Sequence, residues 1–198
     1  MSHPTRAPRA RRVVWILLFG ALVALRLPAM VEPAGSIVQL GFGPNIIPGE
    51  LSFAVARVAS SGTPDVFFDG DGQAVVTFPE ESLTGNSDIA RLDDGRYVIA
   101  GSSHGTVADP EAGLAMLLSD GSLDVSFDGD GFVIADFAEF DDEDWDGVAI
   151  DDAGGIIVAG ATQSPRVGVV ARYLTSGAVD AGFGTNGATL APFEEQSE

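Results

Sequence analysis

The chain has 198 residues, no cysteine and no lysine, and carries ten basic against 29 acidic residues, a net charge of −19. All 29 acids follow residue 31, where only five arginines oppose them, so the segment 31–198 carries a net −24. A surface this acidic repels nucleic acid and anionic membranes and suits divalent cations or basic partners, and the absence of cysteine excludes a disulfide framework.

In chain order, the first element is an export signal. Arg6, Arg9, Arg11 and Arg12 precede the apolar run Val13 to Leu25, and Arg26 closes it. A basic stretch followed by a short apolar one is the pattern of a secretory signal, and thirteen residues fall short of the roughly 20 that cross a bilayer. Residues 1–30 are therefore expected to be a signal peptide, with candidate cleavage sites near Ala29 and Ala34. The alternative is an uncleaved anchor over residues 13–31, which would be the chain's sole membrane contact. The location expected is outside the cell or in its envelope.

Eleven short strands are predicted after it: Ile37–Leu40, Phe53–Ala59, Ala74–Phe78, Ile89–Leu92, Tyr97–Ala100, Leu114–Leu118, Phe132–Phe137, Val148–Ile150, Ile156–Ala159, Val169–Leu174 and Ala188–Ala191. Each is rich in Val, Ile, Leu or aromatics and bounded by Gly, Asp, Asn or Pro. No segment after the signal has sustained 3.6-residue periodicity with caps, so almost no helix is expected. Before Ile37, the stretch Leu27–Ala34 holds two prolines and Glu32, and no strand is expected there.

The strands recur in step. Gly35–Gly41, Gly95–Gly101 and Gly154–Gly160 each frame a strand between glycines six apart, and the copies begin 60 and 59 residues apart. A second motif follows: Gly62 to Asp65, Gly121 to Asp124 and Gly177 to Asp180, each with a Phe three residues on (Phe68, Phe127, Phe183) and then Gly72, Gly131 and Gly187. Gly supplies positive φ for the hairpin turns, Asp65, Asp124 and Asp180 can accept backbone N–H groups in Asx-turns, and the phenylalanines are placed to plug the layer between neighbours. A repeat of four strands at this period describes blades of a β-propeller. The expected fold is all-β: a propeller-like array of three four-stranded antiparallel units, about 35–94, 95–153 and 154–193, open or incomplete, with an acidic tail at 194–198.

The segments 93–101 (DDGRYVIAG), 120–131 (DGSLDVSFDGDG) and 176–187 (SGAVDAGFGTNG) resemble the delta-60 repeat of bacterial propeller-type proteins. The resemblance spans about residues 35–193. It implies a secreted or surface-associated array and brings no catalytic mechanism. Propellers usually hold about four to eight blades, so three units leave the array open, joined to further chains through open sheet edges, or truncated.

Residues found in every unit are most simply structural, so candidates for chemistry are those found in one. Asp142, Asp144 and Asp146, followed by Gly147, place carboxylates at alternate positions as a calcium loop does, although position 12 is Ala153 rather than an acid. Calcium is the one cofactor considered, against a solvated acidic loop. The pairs Asp69/Asp71 and Asp128/Asp130 read as turns, because the third copy has Gly184 and Asn186. His104, beside Ser102 and Ser103 with Asp109 following, is weak ground for a triad, and no catalytic residue is assigned. Trp145, Tyr97 and Tyr173 read as core rather than as sugar platforms.

The function expected is a binding or scaffolding module whose ligand is a protein or a glycan. The alternatives are a truncated fragment of a longer repeat protein, or a hydrolase or lyase on a propeller scaffold. Export is checked by cell fractionation with N-terminal sequencing: a mature N-terminus near residue 30 is expected outside the cytosol, and full-length chain in the cytosol with Met1 intact would refute it.

Overall fold

The computed structural model describes residues 29–32, 35–44, 51–78, 83–103, 112–135, 141–164 and 166–191. Most of the expected signal segment, His104 and the tail 194–198 lie outside the described residues. Three antiparallel four-stranded sheets account for the rest, with no helix among the described residues. Sheet 1 holds β1 (Ala29–Val31), β2 (Ile37–Pro44), β3 (Leu51–Val58) and β4 (Gln73–Val76). Sheet 2 holds β5 (Leu83–Arg91), β6 (Tyr97–Ser103), β7 (Ala112–Leu117) and β8 (Phe132–Ile134). Sheet 3 holds β9 (Asp141–Ile150), β10 (Ile156–Ser164), β11 (Arg166–Tyr173) and β12 (Ala188–Ala191). Each is a meander in sequence order, and none closes on itself.

The twelfth strand corrects the expectation for residues 27–34. Ala29, Met30 and Val31 pair with Gln39, Val38 and Ile37. Pro28 and Pro33 flank the strand instead of interrupting it, and proline is tolerated at strand ends and in turns. Glu32 sits just past the strand, where its N–H donates to Ser36 O and its carbonyl accepts from Gly35 N–H. Each unit therefore begins with the strand that precedes the glycine hairpin, whereas the expected boundaries cut each sheet after its first strand. The hairpin glycines do occupy one place: Gly35, Gly95 and Gly154 have φ of 83°, 99° and 84°.

The sheets stack face on face because each strand of the middle sheet alternates between two apolar environments. Tyr97, Ile99, Ala115 and Leu117 pack with Val38, Leu40, Phe53 and Val55 of sheet 1. Their neighbours Val98, Ala100, Leu114 and Met116 pack with Ile156, Val158, Ala171 and Tyr173 of sheet 3. Every residue of β7 is consequently buried. The face of each sheet that meets the next unit is called trailing here, and the face that meets the preceding unit leading. Phe68 and Phe127, both 0 % exposed, fill the layers behind units 1 and 2 as the repeat predicted. Trp145, Tyr97 and Tyr173 are core residues, also as expected.

Two glycines separate backbone from packing effects. A Cβ on Gly154 would meet nothing within 4 Å, so Gly154→Val tests the positive φ alone. It is expected to destabilise by about 1 kcal/mol in denaturant unfolding. A Cβ on Gly101 would lie 2.4 Å from the Phe53 ring of sheet 1. Gly101→Ala is therefore expected to cost about 1–3 kcal/mol by overpacking the joint between sheets, and an unchanged midpoint would contradict the stacking.

Candidate functional site

The acidic run 141–146 is a strand and not the loop expected from its composition. It forms the start of β9, with Asp141, Glu143 and Asp144 opposite Ser164, Thr162 and Ala161 of β10. Cross-strand pairing and the burial of Trp145 at 0 % outweigh the low strand propensity of Asp. Extended backbone spaces alternate Cα atoms by about 7 Å along a line, so the backbone curl that makes a calcium loop converge is missing. The register shifts between Ala159 and Gly160, which leaves Asp146 as the extra residue of a β-bulge, exposed beside the buried Trp145. The side chains of Asp142 and Asp144 lie outside the described residues. Among the described residues no group of three metal-ligating side chains comes together.

The pairs read as turns are turns. Asp71 Oδ1 accepts from Gln73 N–H at 2.8 Å, and Asp130 Oδ1 from Phe132 N–H at 2.9 Å. Asp69 and Asp128 both adopt φ of 50°, a conformation that Asp tolerates better than most residues.

The most organised polar arrangement is a carboxylate–guanidinium node in every unit. Asp65, Asp124 and Asp180 each use Oδ1 to accept an N–H two residues on, from Phe67, Ser126 and Gly182, at 3.0–3.1 Å. Their other oxygen faces an arginine. Arg57 Nε donates to Asp65 Oδ2 at 2.9 Å, Arg96 Nη1 to Asp124 Oδ2 at 3.0 Å, and Arg172 Nη1 to Asp180 Oδ2. The arginines then reach a second acidic group. Arg96 Nε donates to Asp94 at 2.9 Å and Arg172 Nε to Asp151 at 2.8 Å. In unit 1 the link runs through sheet 2: Arg57 Nη1 donates to Tyr97 OH at 3.4 Å, and Tyr97 OH donates to Glu32. Arg91 Nε lies 3.2 Å from the same Glu32 carboxylate, off the angle of a hydrogen bond.

The arginine does not keep its place in the repeat. Arg57 and Arg172 stand on the third strand of their sheets, where the carbonyl accepts from Asp65 and Asp180 N–H; the equivalent residue in unit 2 is Met116. There the guanidinium comes from Arg96, the residue just before β6, whose equivalent in unit 3 is Gly155. A Cβ on Gly155 would lie 2.5 Å from the Arg172 guanidinium, so Gly155 leaves the space that Arg172 fills. The position in space is kept while its source moves from the third strand to the turn that leads into the second. Alignment of identical residues misses this; reading the arginines against the two candidate strands would have found it.

These bonds set the carboxyl pKa values. Burial pushes Asp124 up, but the Ser126 hydroxyl, the Arg96 guanidinium and the Ser126 N–H together hold it below its ordinary value. Asp151 is lowered first by Arg172 and then by Gly155 N–H. A carboxyl whose folded pKa is depressed contributes stability above its unfolded pKa, near 3.9, and loses it as pH falls through the folded value.

One exposed aromatic belongs to unit 1 alone, while the valine before it recurs in unit 2 as the exposed Val125. Phe67 is 83 % exposed and Val66 59 %, on the turn that follows the exposed Pro64. The equivalent pairs are Val125-Ser126 and Ala181-Gly182. The rule that single-unit residues are the candidates points to Phe67 once the register is written out.

One comparison with known proteins bears on the repeat. The family model of a β-propeller domain of unknown function, DUF5122, matches residues 92–127 and 154–183. Both segments begin at the glycine hairpin and end at or beside the plug phenylalanine, Phe127 or Phe183, so the matched unit is the hairpin, its node and its plug. The chain thus carries propeller-type repeats. The solved structure of a fucose lectin from Kordia zhangzhouensis in complex with methyl-fucoside is similar at 11% identity and a TM-score of 0.47, covering 85% of this chain and 99% of that one. No curated protein matches.

The node makes two predictions. Arg96→Gly leaves the buried Asp124 carboxylate without its cation and is expected to destabilise by about 1–3 kcal/mol, and adding Met116→Arg, the layout of unit 3, should recover most of it in a double-mutant cycle. The melting temperature should hold from neutral pH to about pH 5 and then fall as pH drops below about 4, with a smaller fall in Asp124→Asn.

Proposed function

We propose that the chain is an exported, non-catalytic binding or scaffolding module whose ligand is a protein or a glycan. The observation that carries this reading is the turn Pro64–Phe67. An aromatic ring and a valine stand in water on a turn whose backbone is pinned by the Asp65 carboxylate and by the Asp65 N–H bond to Arg57 O. Neighbouring apolar side chains held in water add nothing to the core, and surface of this kind, presented rigidly, is what a partner buries. The recurring carboxylates support the same reading from the other side. Those of the nodes and turns already hold backbone N–H groups and arginines, which suits a frame better than an acid–base pair.

The test is Phe67→Ser, which installs the residue of unit 2. The mature protein and the variant are applied to arrays of immobilised glycans and peptides. A ligand retained by the wild type and bound roughly tenfold or more weakly by the variant, at an unchanged melting temperature, is the expected result. Equal binding by both proteins would contradict it.

A further inference from the structure

The joint between units is built twice from the same parts, and each end of the stack carries half of a third. Asp69 N–H donates to Asp120 O at 2.6 Å, and Asp128 N–H donates to Ser176 O at 2.8 Å. Arg57 Nη1 donates to Ser119 O at 2.6 Å, and Arg96 Nη1 reaches Thr175 O at 3.4 Å. The plug phenylalanine completes the set at the first joint, where the Phe68 ring lies 3.1 Å from where a Cβ on Gly121 would stand; at the second joint the equivalent Gly177 closes on the residue after the plug, its Cβ position 2.8 Å from Asp128 N. A trailing face therefore offers an N–H, a guanidinium and a phenylalanine, and a leading face offers two turn carbonyls and a glycine seat.

Sheet 3 ends in such a trailing face. Phe183 stands where Phe68 and Phe127 stand but is only half-buried, and Arg172 supplies the guanidinium. The apolar side chains around them persist: Ile157, Ala159 and Val170 hold the places that Val98, Ala100 and Leu114 fill in the joint of units 2 and 3, and Ala159 is exposed. Sheet 1 begins with a leading face. The turn at Ala59–Thr63 closes with the two hydrogen bonds that close Leu118–Ser122 and Leu174–Ala178, so it presents the carbonyls of Ser60 and Ser61 in the same way. Gly62 is the seat, and a Cβ there would meet nothing within 4 Å. Val75, 58 % exposed, lies on the same face.

We propose that the trailing face of sheet 3 docks on the leading face of sheet 1 of a second copy of this chain, head to tail, and that two copies close a six-bladed ring. The occupant follows from complementarity, because the two faces are the two halves of a joint the chain already makes twice. The number follows from closure. Propellers hold about four to eight blades, and chains of three blades reach that range only as a pair, which also leaves no face uncovered. This replaces the expected association through sheet edges with association through sheet faces.

The test is mass in solution, by light scattering and sedimentation, for the full chain and two variants. Ala159→Arg blocks the trailing face and Val75→Arg the leading face; both sites are exposed in the single chain, and circular dichroism with thermal melts checks that each variant folds. The wild type is expected at twice the chain mass at micromolar concentration, with each variant a monomer, its association weakened at least tenfold. Mixed together, the variants retain one intact joint between them and should form a heterodimer that neither forms alone. A monomeric wild type, an assembly growing past two chains, or a Val75→Arg homodimer as tight as the wild type would each overturn the proposal.

Discussion

A four-stranded sheet with apolar side chains on both faces cannot stand in water by itself, and that constraint organises the molecule. Sheet 2 meets it completely: in β6 and β7 alternate residues enter the cluster shared with sheet 1 and the cluster shared with sheet 3. Stacking is thus not an addition to three finished domains but the means by which each sheet acquires a core. Solenoid and propeller repeats share this logic, with stability residing in the joints between units as much as in the units. The phenylalanine plugs and the turn glycines Gly121 and Gly177, which close against the preceding unit, mark those joints in the sequence.

The polar frame solves the problem left by close stacking. Turns at the sheet ends carry carboxylates that would repel one another in a segment with a net −24. Each unit therefore holds its recurring aspartate with two kinds of donor, a backbone N–H and a guanidinium. In units 1 and 2 the same guanidinium reaches a carbonyl of the next unit, so one cation neutralises the turn and ties the joint. Arg57 also lies 4.8 Å over the Phe68 ring, joining polar frame and plug. Arg57, Arg91, Arg96 and Arg172 are all spent on such contacts.

Most of this was legible where the physics is local. The positive φ at Gly95 and Gly154, the Asx-turns at Asp65, Asp124 and Asp180, and the plug role of Phe68 and Phe127 all follow from residue types at fixed spacing. The reading failed where tertiary context decides. Strand β1 was hidden because prolines at both ends of a three-residue strand resemble a loop. The run 141–146 has the composition of a loop, whereas pairing to β10 and the burial of Trp145 make it a strand. The guanidinium node is invisible in the repeat because it recurs in space and not in sequence: Arg96 stands in the turn before β6 and Arg172 on β11. The candidate site was legible only in part. The acidic run drew attention for its density, while the exposed Phe67 needed the register of the turn to stand out.

Native-state hydrogen exchange tests the central claim most directly, since it reports the stability of each joint residue by residue. If each sheet depends on its neighbours, then in the monomeric Ala159→Arg chain, where sheet 2 alone has both faces covered, the slowest amides lie in β6 and β7, and the Asp69 and Asp128 N–H groups exchange with the sheets they join. Protection should fall toward β4 and β12 at the margins of sheets 1 and 3. Three sheets opening independently, with β6 and β7 no slower than the strands of sheets 1 and 3, would contradict the account.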